Sequence, residues 1–179
     1  MKDSAVKDSA VKGADQHLVL VGMMGAGKTT VARVAAERLS RPLFDSDAMI
    51  EQQTGRTVRE IFVDDGEPAF RALETKALIT ALASEEPAVI AAAGGVVLSP
   101  ENRAVLKNSF ARVVWLSAEP ATLMERVTST GHRPLLDDDP AGTLRRMFRD
   151  REALYREVAD AIVLVDRRSI QEVVEAVLR

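Results

Sequence analysis

The 179-residue chain has no cysteine, which excludes disulfide scaffolds and thiolate metal sites. Aromatic residues are scarce at 4%, with one tryptophan and one tyrosine, and there are only two histidines. His17 and His132 lack partners at metal-ligand or triad spacing and are read as structural. No apolar run approaches the roughly 18–20 residues of a membrane span, and the first residues carry no signal-peptide hydrophobic core. An excess of one charge is missing too. Twenty-four Lys and Arg against 27 Asp and Glu leave a formal net charge of −3. No basic stripe with interleaved aromatics suggests nucleic acid. A soluble, cytoplasmic, monomeric protein with no nucleic-acid or membrane partner is therefore expected, with one core in one α/β domain.

What is present centres on Gly22 to Thr30, GMMGAGKTT, between the apolar run His17–Val21 and an amphipathic segment from Thr29 to Leu39. Glycines permit the dihedrals of a tight phosphate-wrapping loop, and a helix N-terminus behind such a loop makes an anion site. Gly22, Gly25, Ala26, Gly27, Lys28, Thr29 and Thr30 are the candidate nucleotide-binding residues. Lys28 can reach the β- and γ-phosphates, and the Thr29 hydroxyl suits Mg²⁺. The site is read as one for a nucleoside triphosphate.

Along the chain, residues 1–16 hold the repeat KDSAV-KDSAV-K and offer little to bury, so a disordered tail is expected. Val31, Val34, Ala35 and Leu39 form the buried stripe of the first helix. Residues 41–44 lead as a short strand into Asp45-Ser46-Asp47, with Ser46 as the expected cap of a helix over 48–53. Thr57 and Glu60 read as a capping box. A longer helix runs from Gly66 to about Ala83, with Arg71 near its start and Phe70, Leu73, Ala77, Leu78 and Leu82 on its apolar face. The run Pro87–Ala93 reads as a strand covered on both faces, ending at Gly94-Gly95. Further helices are expected over 99–107, 119–128, 139–158 and from Ser169 onward, with strands at 112–116 and 161–165. Trp115 is placed in the core. Residues 129–139 read as a polar loop, its aspartates solvated or capping the next helix.

Five apolar runs alternating with helices predict a three-layer α/β/α fold with a five-stranded parallel sheet. Right-handed crossovers gather the post-strand loops at one sheet edge, where such folds bind ligands. The phosphate loop, Asp45 with Asp47, and Gly94 with Gly95 can converge there. The third run ends without an aspartate. One of Asp45 and Asp47 is therefore expected to support the metal while the other faces the acceptor; the alternative is that both cap the following helix.

GMMGAGKTT, FDSD, GEPAFR, GGVV, RPLL and REALYREVAD, in that order, resemble the motifs of bacterial shikimate kinases over His17 to the C-terminus. The resemblance implies a P-loop NTPase fold of the nucleoside-monophosphate-kinase type and ATP- and Mg²⁺-dependent phosphorylation of the 3-hydroxyl of shikimate. It implies that Lys28 contacts the β- and γ-phosphates and that Thr29 binds Mg²⁺ with Asp45 in its outer shell. Asp47 would hold the substrate hydroxyls and accept or orient the reacting proton. Arg71 and Arg151 would clamp the substrate carboxylate, with Gly94 and Gly95 in close backbone contact. Arg133, in a lid at about 129–139, would cover the transferring phosphate, and Arg126 would stack on adenine. Where the family usually has three glycines this chain has Ala93-Gly94-Gly95, expected to tune the site and not abolish it. A rival reading is a gluconate-type sugar-acid kinase. Another is a non-catalytic nucleotide-binding module.

Overall fold

The computed structural model describes residues 15–129 and 139–179. The expected tail up to Ala14, most of the expected lid, and Arg133 lie outside the described residues.

Within them the chain alternates strand and helix: β1 (His17–Val21), α1 (Lys28–Leu39), β2 (Leu43–Asp45), α2 (Ser46–Thr54), α3 (Val58–Asp64), α4 (Gly66–Leu82), β3 (Val89–Ala91), α5 (Pro100–Asn108), β4 (Ala111–Ser117), α6 (Pro120–Ser129), α7 (Pro140–Val158), β5 (Ala161–Leu164) and α8 (Ile170–Val177). The sheet is parallel throughout in the order β2-β3-β1-β4-β5. The strand carrying the phosphate loop is thus central, with Val19 paired to Ile90 on one side and Val113 on the other.

The central strands read apolar because both their faces are covered. Leu18 to Val21, Val89 to Ala91 and Val113 to Leu116 are all buried. Trp115 lies in this core as expected, stacked on Tyr155 of α7 with ring centroids 5.6 Å apart. Helices α1 and α8 pack together, as do α5 and α7, completing the layers. His17 is structural: its Nδ1 accepts from the Ala88 amide at 3.1 Å.

Several elements start where local chemistry demands. Thr57 with Glu60, and Ser169 with Glu172, form reciprocal capping boxes. Ser99 caps α5, which has proline in its first turn. Asp139 caps α7 by accepting from Gly142.

Two expectations need correction. Ser46 is not the cap of α2. It is the helix's first residue, and the Asp45 carboxylate caps by accepting from the Asp47 and Ala48 amides at 3.1 and 3.3 Å. Asp47 consequently sits in the first turn of α2, not at a strand end. The run Pro87–Ala93 yields a strand of only three residues, followed by a short 3-10 turn at Val96–Leu98. Ala92 still donates to the Leu20 carbonyl, so the chain stays alongside β1 before it turns under the cleft.

Candidate active site

The loop after β1 is shaped by two backbone demands. Gly22 has φ 146°, and a Cβ there would meet the Leu116 carbonyl oxygen at 2.5 Å. Gly27 has φ 90°, a left-handed conformation that disfavours side chains, and nothing lies within 4 Å of where a Cβ would stand. Gly27 is also the N-terminal cap residue of α1 and supplies no side-chain cap, so the first amides of that helix stay open to an anion. The Lys28 ammonium is held over the loop by the Gly22 and Met23 carbonyls, at 2.8 and 3.0 Å. An open, amide-rich concavity with a fixed cation fits a polyphosphate.

Beside it, the Thr29 hydroxyl donates to Asp45 Oδ2 at 2.6 Å. Asp45 thus caps α2 with one oxygen, the alternative weighed from the sequence, while its other oxygen accepts from Thr29. A hydroxyl with a carboxylate behind it suits a hard divalent cation that keeps water and phosphate ligands. Among the described residues no group of three or more His, Cys, Asp or Glu could hold a metal ion.

The opposite wall is built around Arg71. Its Nη1 donates to Glu74 Oε2 at 2.6 Å, while Nε and Nη2 donate to Glu67 Oε1 at 3.0 and 2.6 Å. Its Cζ lies 5.9 Å from the Phe62 ring centroid and 5.6 Å from that of Phe70. Gly95 is required beneath it, because a Cβ there would fall 1.7 Å from Arg71 Nη1. Arg151, buried on α7, donates to the Gly94 carbonyl at 3.3 Å, and the Tyr155 hydroxyl donates to the same oxygen at 2.5 Å.

Glu74 is 2% exposed. Burial raises its pKa above the ordinary glutamate value, with Arg71 working against that rise and Asp47 adding to it. Arg71 is held above its ordinary value although burial opposes its charge, because the Glu74 and Glu67 carboxylates outweigh that opposition. Burial also pushes the Tyr155 hydroxyl up to about 12.

These groups share one cleft of about 410 Å³, lined by the phosphate loop, Asp45, Asp47, Phe62, Arg71, Gly94, Gly95, Arg126 and Arg151. Its volume lies in the range of small-molecule sites, about 300–1,000 Å³. All the sequence-selected site residues within the described chain except Gly22 and Ala26 line this cleft, although Gly25 and Arg151 are far apart in sequence. Arg126 bridges the Gly25 and Val165 carbonyls at 3.4 and 3.3 Å, which fixes α6 beside the phosphate loop. Ala93 lines the cleft wall and is buried there. Sequence reasoning missed Glu67, Glu74, Phe62 and Tyr155. Spacing could have paired Arg71 with the two glutamates, four residues before and three after, but nothing local shows that Glu74 is buried.

A phosphate loop after a central strand, with a carboxylate and paired arginines across the same cleft, defines a P-loop kinase of the nucleoside-monophosphate-kinase-like class. The family model described as shikimate kinase matches residues 24–179. A shikimate kinase of Symbiobacterium thermophilum is 44% identical over 90% of this chain and 94% of its own. The solved shikimate kinase of Acinetobacter baumannii in complex with shikimate has a TM-score of 0.86 at 36% identity, covering 91% of this chain and 90% of that one. A Sinorhizobium meliloti gluconokinase covers 92% of this chain and 90% of its own with a TM-score of 0.55 at 22% identity, a likeness of fold alone. The chain belongs to the shikimate kinase family, enzymes that take their phosphoryl group from ATP.

Proposed function

We propose that this chain phosphorylates the 3-hydroxyl of shikimate with ATP, giving shikimate 3-phosphate and ADP in aromatic amino-acid biosynthesis. The observation that carries the reading is the opposition, within one cleft, of the phosphate loop to an acid and two arginines around Gly94 and Gly95. Shikimate has a carboxylate and neighbouring hydroxyls. Planar guanidinium groups match the first and an aspartate matches the second.

In the reaction the 3-hydroxyl oxygen forms a bond to the γ-phosphorus, the bond to the β,γ-bridging oxygen breaks, and ADP leaves. Loop amides, the open start of α1 and Lys28 hold the phosphates and stabilise the charge that develops on them. Thr29 and Asp45 are the residues that would hold Mg²⁺, which when bound neutralises phosphate charge. Asp47 orients the acceptor hydroxyls and takes the reacting proton. Arg71 and Arg151 fix the carboxylate, so that the acceptor arrives aligned.

The test is a coupled ADP-release assay with ATP, Mg²⁺ and a panel of shikimate, quinate, gluconate and nucleoside monophosphates. Turnover confined to shikimate supports the reading. A preference for gluconate or a nucleotide overturns it.

A further inference from the structure

We propose that Glu67 competes with the acceptor's carboxylate for Arg71, and thereby sets how tightly that acceptor binds. The inference rests on the functional reading above, in which Arg71 receives that carboxylate. A guanidinium has five N–H donors, and its Nε and Nη2 form a fork suited to a carboxylate. In this structure one oxygen of Glu67 takes both Nε and Nη2. Glu74 takes Nη1 alone.

The two carboxylates differ in how readily they can leave. Glu74 is 2% exposed and its burial leaves it no water to turn to. The Glu67 side chain is 48% exposed and lies one helical turn before Arg71 at the start of α4. It can rotate into solvent without breaking the core. Glu74 is thus a fixed anchor, and Glu67 is a removable occupant of the fork.

Charge points the same way. Asp47 and Glu74 line the cleft with Arg71 and Arg151, and Glu67 adds a third carboxylate on Arg71 itself. An entering carboxylate must either expel Glu67 from the fork or share Arg71 with it. Removing the Glu67 charge frees two donors and relieves one like-charge contact. An ordinary exposed helix pair, by contrast, would leave acceptor binding untouched.

Glu67→Gln and Glu67→Ala, each confirmed folded by thermal melt, are compared with the parent enzyme at saturating ATP. The KM for shikimate should fall about two- to fivefold, the scale of a partly exposed ion pair, with kcat and the KM for ATP unchanged. The difference should shrink in high salt. The uncharged methyl ester of shikimate should show no gain from either variant. Calorimetric titration of shikimate alone should show the same tightening. An unchanged or raised KM for shikimate in both folded variants overturns the inference. Arg71→Ala separates the two levels. If it raises that KM while the Glu67 variants do not lower it, the competition fails and the functional reading stands. If it leaves that KM unaltered, the assignment of the carboxylate to Arg71 fails as well.

Discussion

Gly95 does by having no side chain what no other residue could do in its place. The Arg71 guanidinium occupies the volume that a Cβ would fill, and Glu74 and Glu67 pin that guanidinium from the other directions. Gly95→Ala should therefore displace Arg71 and raise the KM for shikimate about tenfold or more, the loss of a charge-assisted pair. The KM for ATP should hold, and initial-rate kinetics with each substrate varied in turn checks the split. Asp47→Asn should preserve nucleotide binding by calorimetry and lose most of kcat, because an amide neither takes a proton nor carries the charge that orients the hydroxyls. Near-normal turnover in that variant would remove Asp47 from its proposed role.

Tyr155 carries a pH prediction at the same scale. Its hydroxyl is buried, ordinarily titrates near 10, and is pushed to about 12 in the folded chain. The folded state thus keeps a proton that the unfolded state loses. The contribution of Tyr155 is complete below pH 10 and is lost as pH rises through 10 to 12. Two units correspond to about 2–3 kcal/mol. Tyr155→Phe should flatten the alkaline fall in stability relative to the parent, measured by urea melts between pH 9 and 12. Equal slopes for the two proteins would mean the hydroxyl ionises freely in the fold.

Among the elements, α2 shows how one residue can join a helix end to the cleft. Asp45 caps α2 with one oxygen and meets Thr29 with the other. Asparagine caps about as well as aspartate but lacks the charge. Asp45→Asn should therefore change stability by only a few tenths of a kcal/mol, whereas Asp45→Ala should lose about 1 kcal/mol, within the 0.5–2 kcal/mol range of cap removal. Both should raise the Mg²⁺ concentration needed for half-maximal turnover. Denaturant melts and a magnesium titration separate the two effects. If Asn and Ala behave alike in both assays, the dual role is wrong.

The neighbouring elements follow from local rules where those rules have no competitor. The boxes at Thr57/Glu60 and Ser169/Glu172 form as the sequence spacing predicts, since every partner lies within four residues. At α2 the local preference for serine as a cap competes with Asp45 one position earlier. There the strand pairing of Asp45 with Ala91 decides, because it sets where β2 ends and the helix begins.

For the whole molecule, catalytic placement depends on the central position of β1 between β3 and β4. The phosphate loop, the start of α2 and Gly94-Gly95 then open from neighbouring strands at one sheet edge, and α7 reaches them through Arg151 and Tyr155. Leu20 is fully buried in that central strand. Leu20→Ala should cost about 2–5 kcal/mol, as for other large-to-small core changes. Thermal melts should show the loss for the entire domain in one transition. Kinetics below the melting temperature should show near-parent KM values if the cleft geometry survives.

Periodicity and motif order by themselves determined the parallel α/β class, the phosphate loop, the two helix boxes and the acid, glycines and arginines of the cleft. Those features rest on short-range spacing or on residue types that a chemistry requires. Tertiary structure alone decided that Glu74 is a buried anchor, that Glu67 fills the Arg71 fork, and that Tyr155 reaches the Gly94 carbonyl across 61 positions of chain. Burial, desolvation and the partners of a side chain are properties of the space that distant segments enclose, and no local pattern encodes that space.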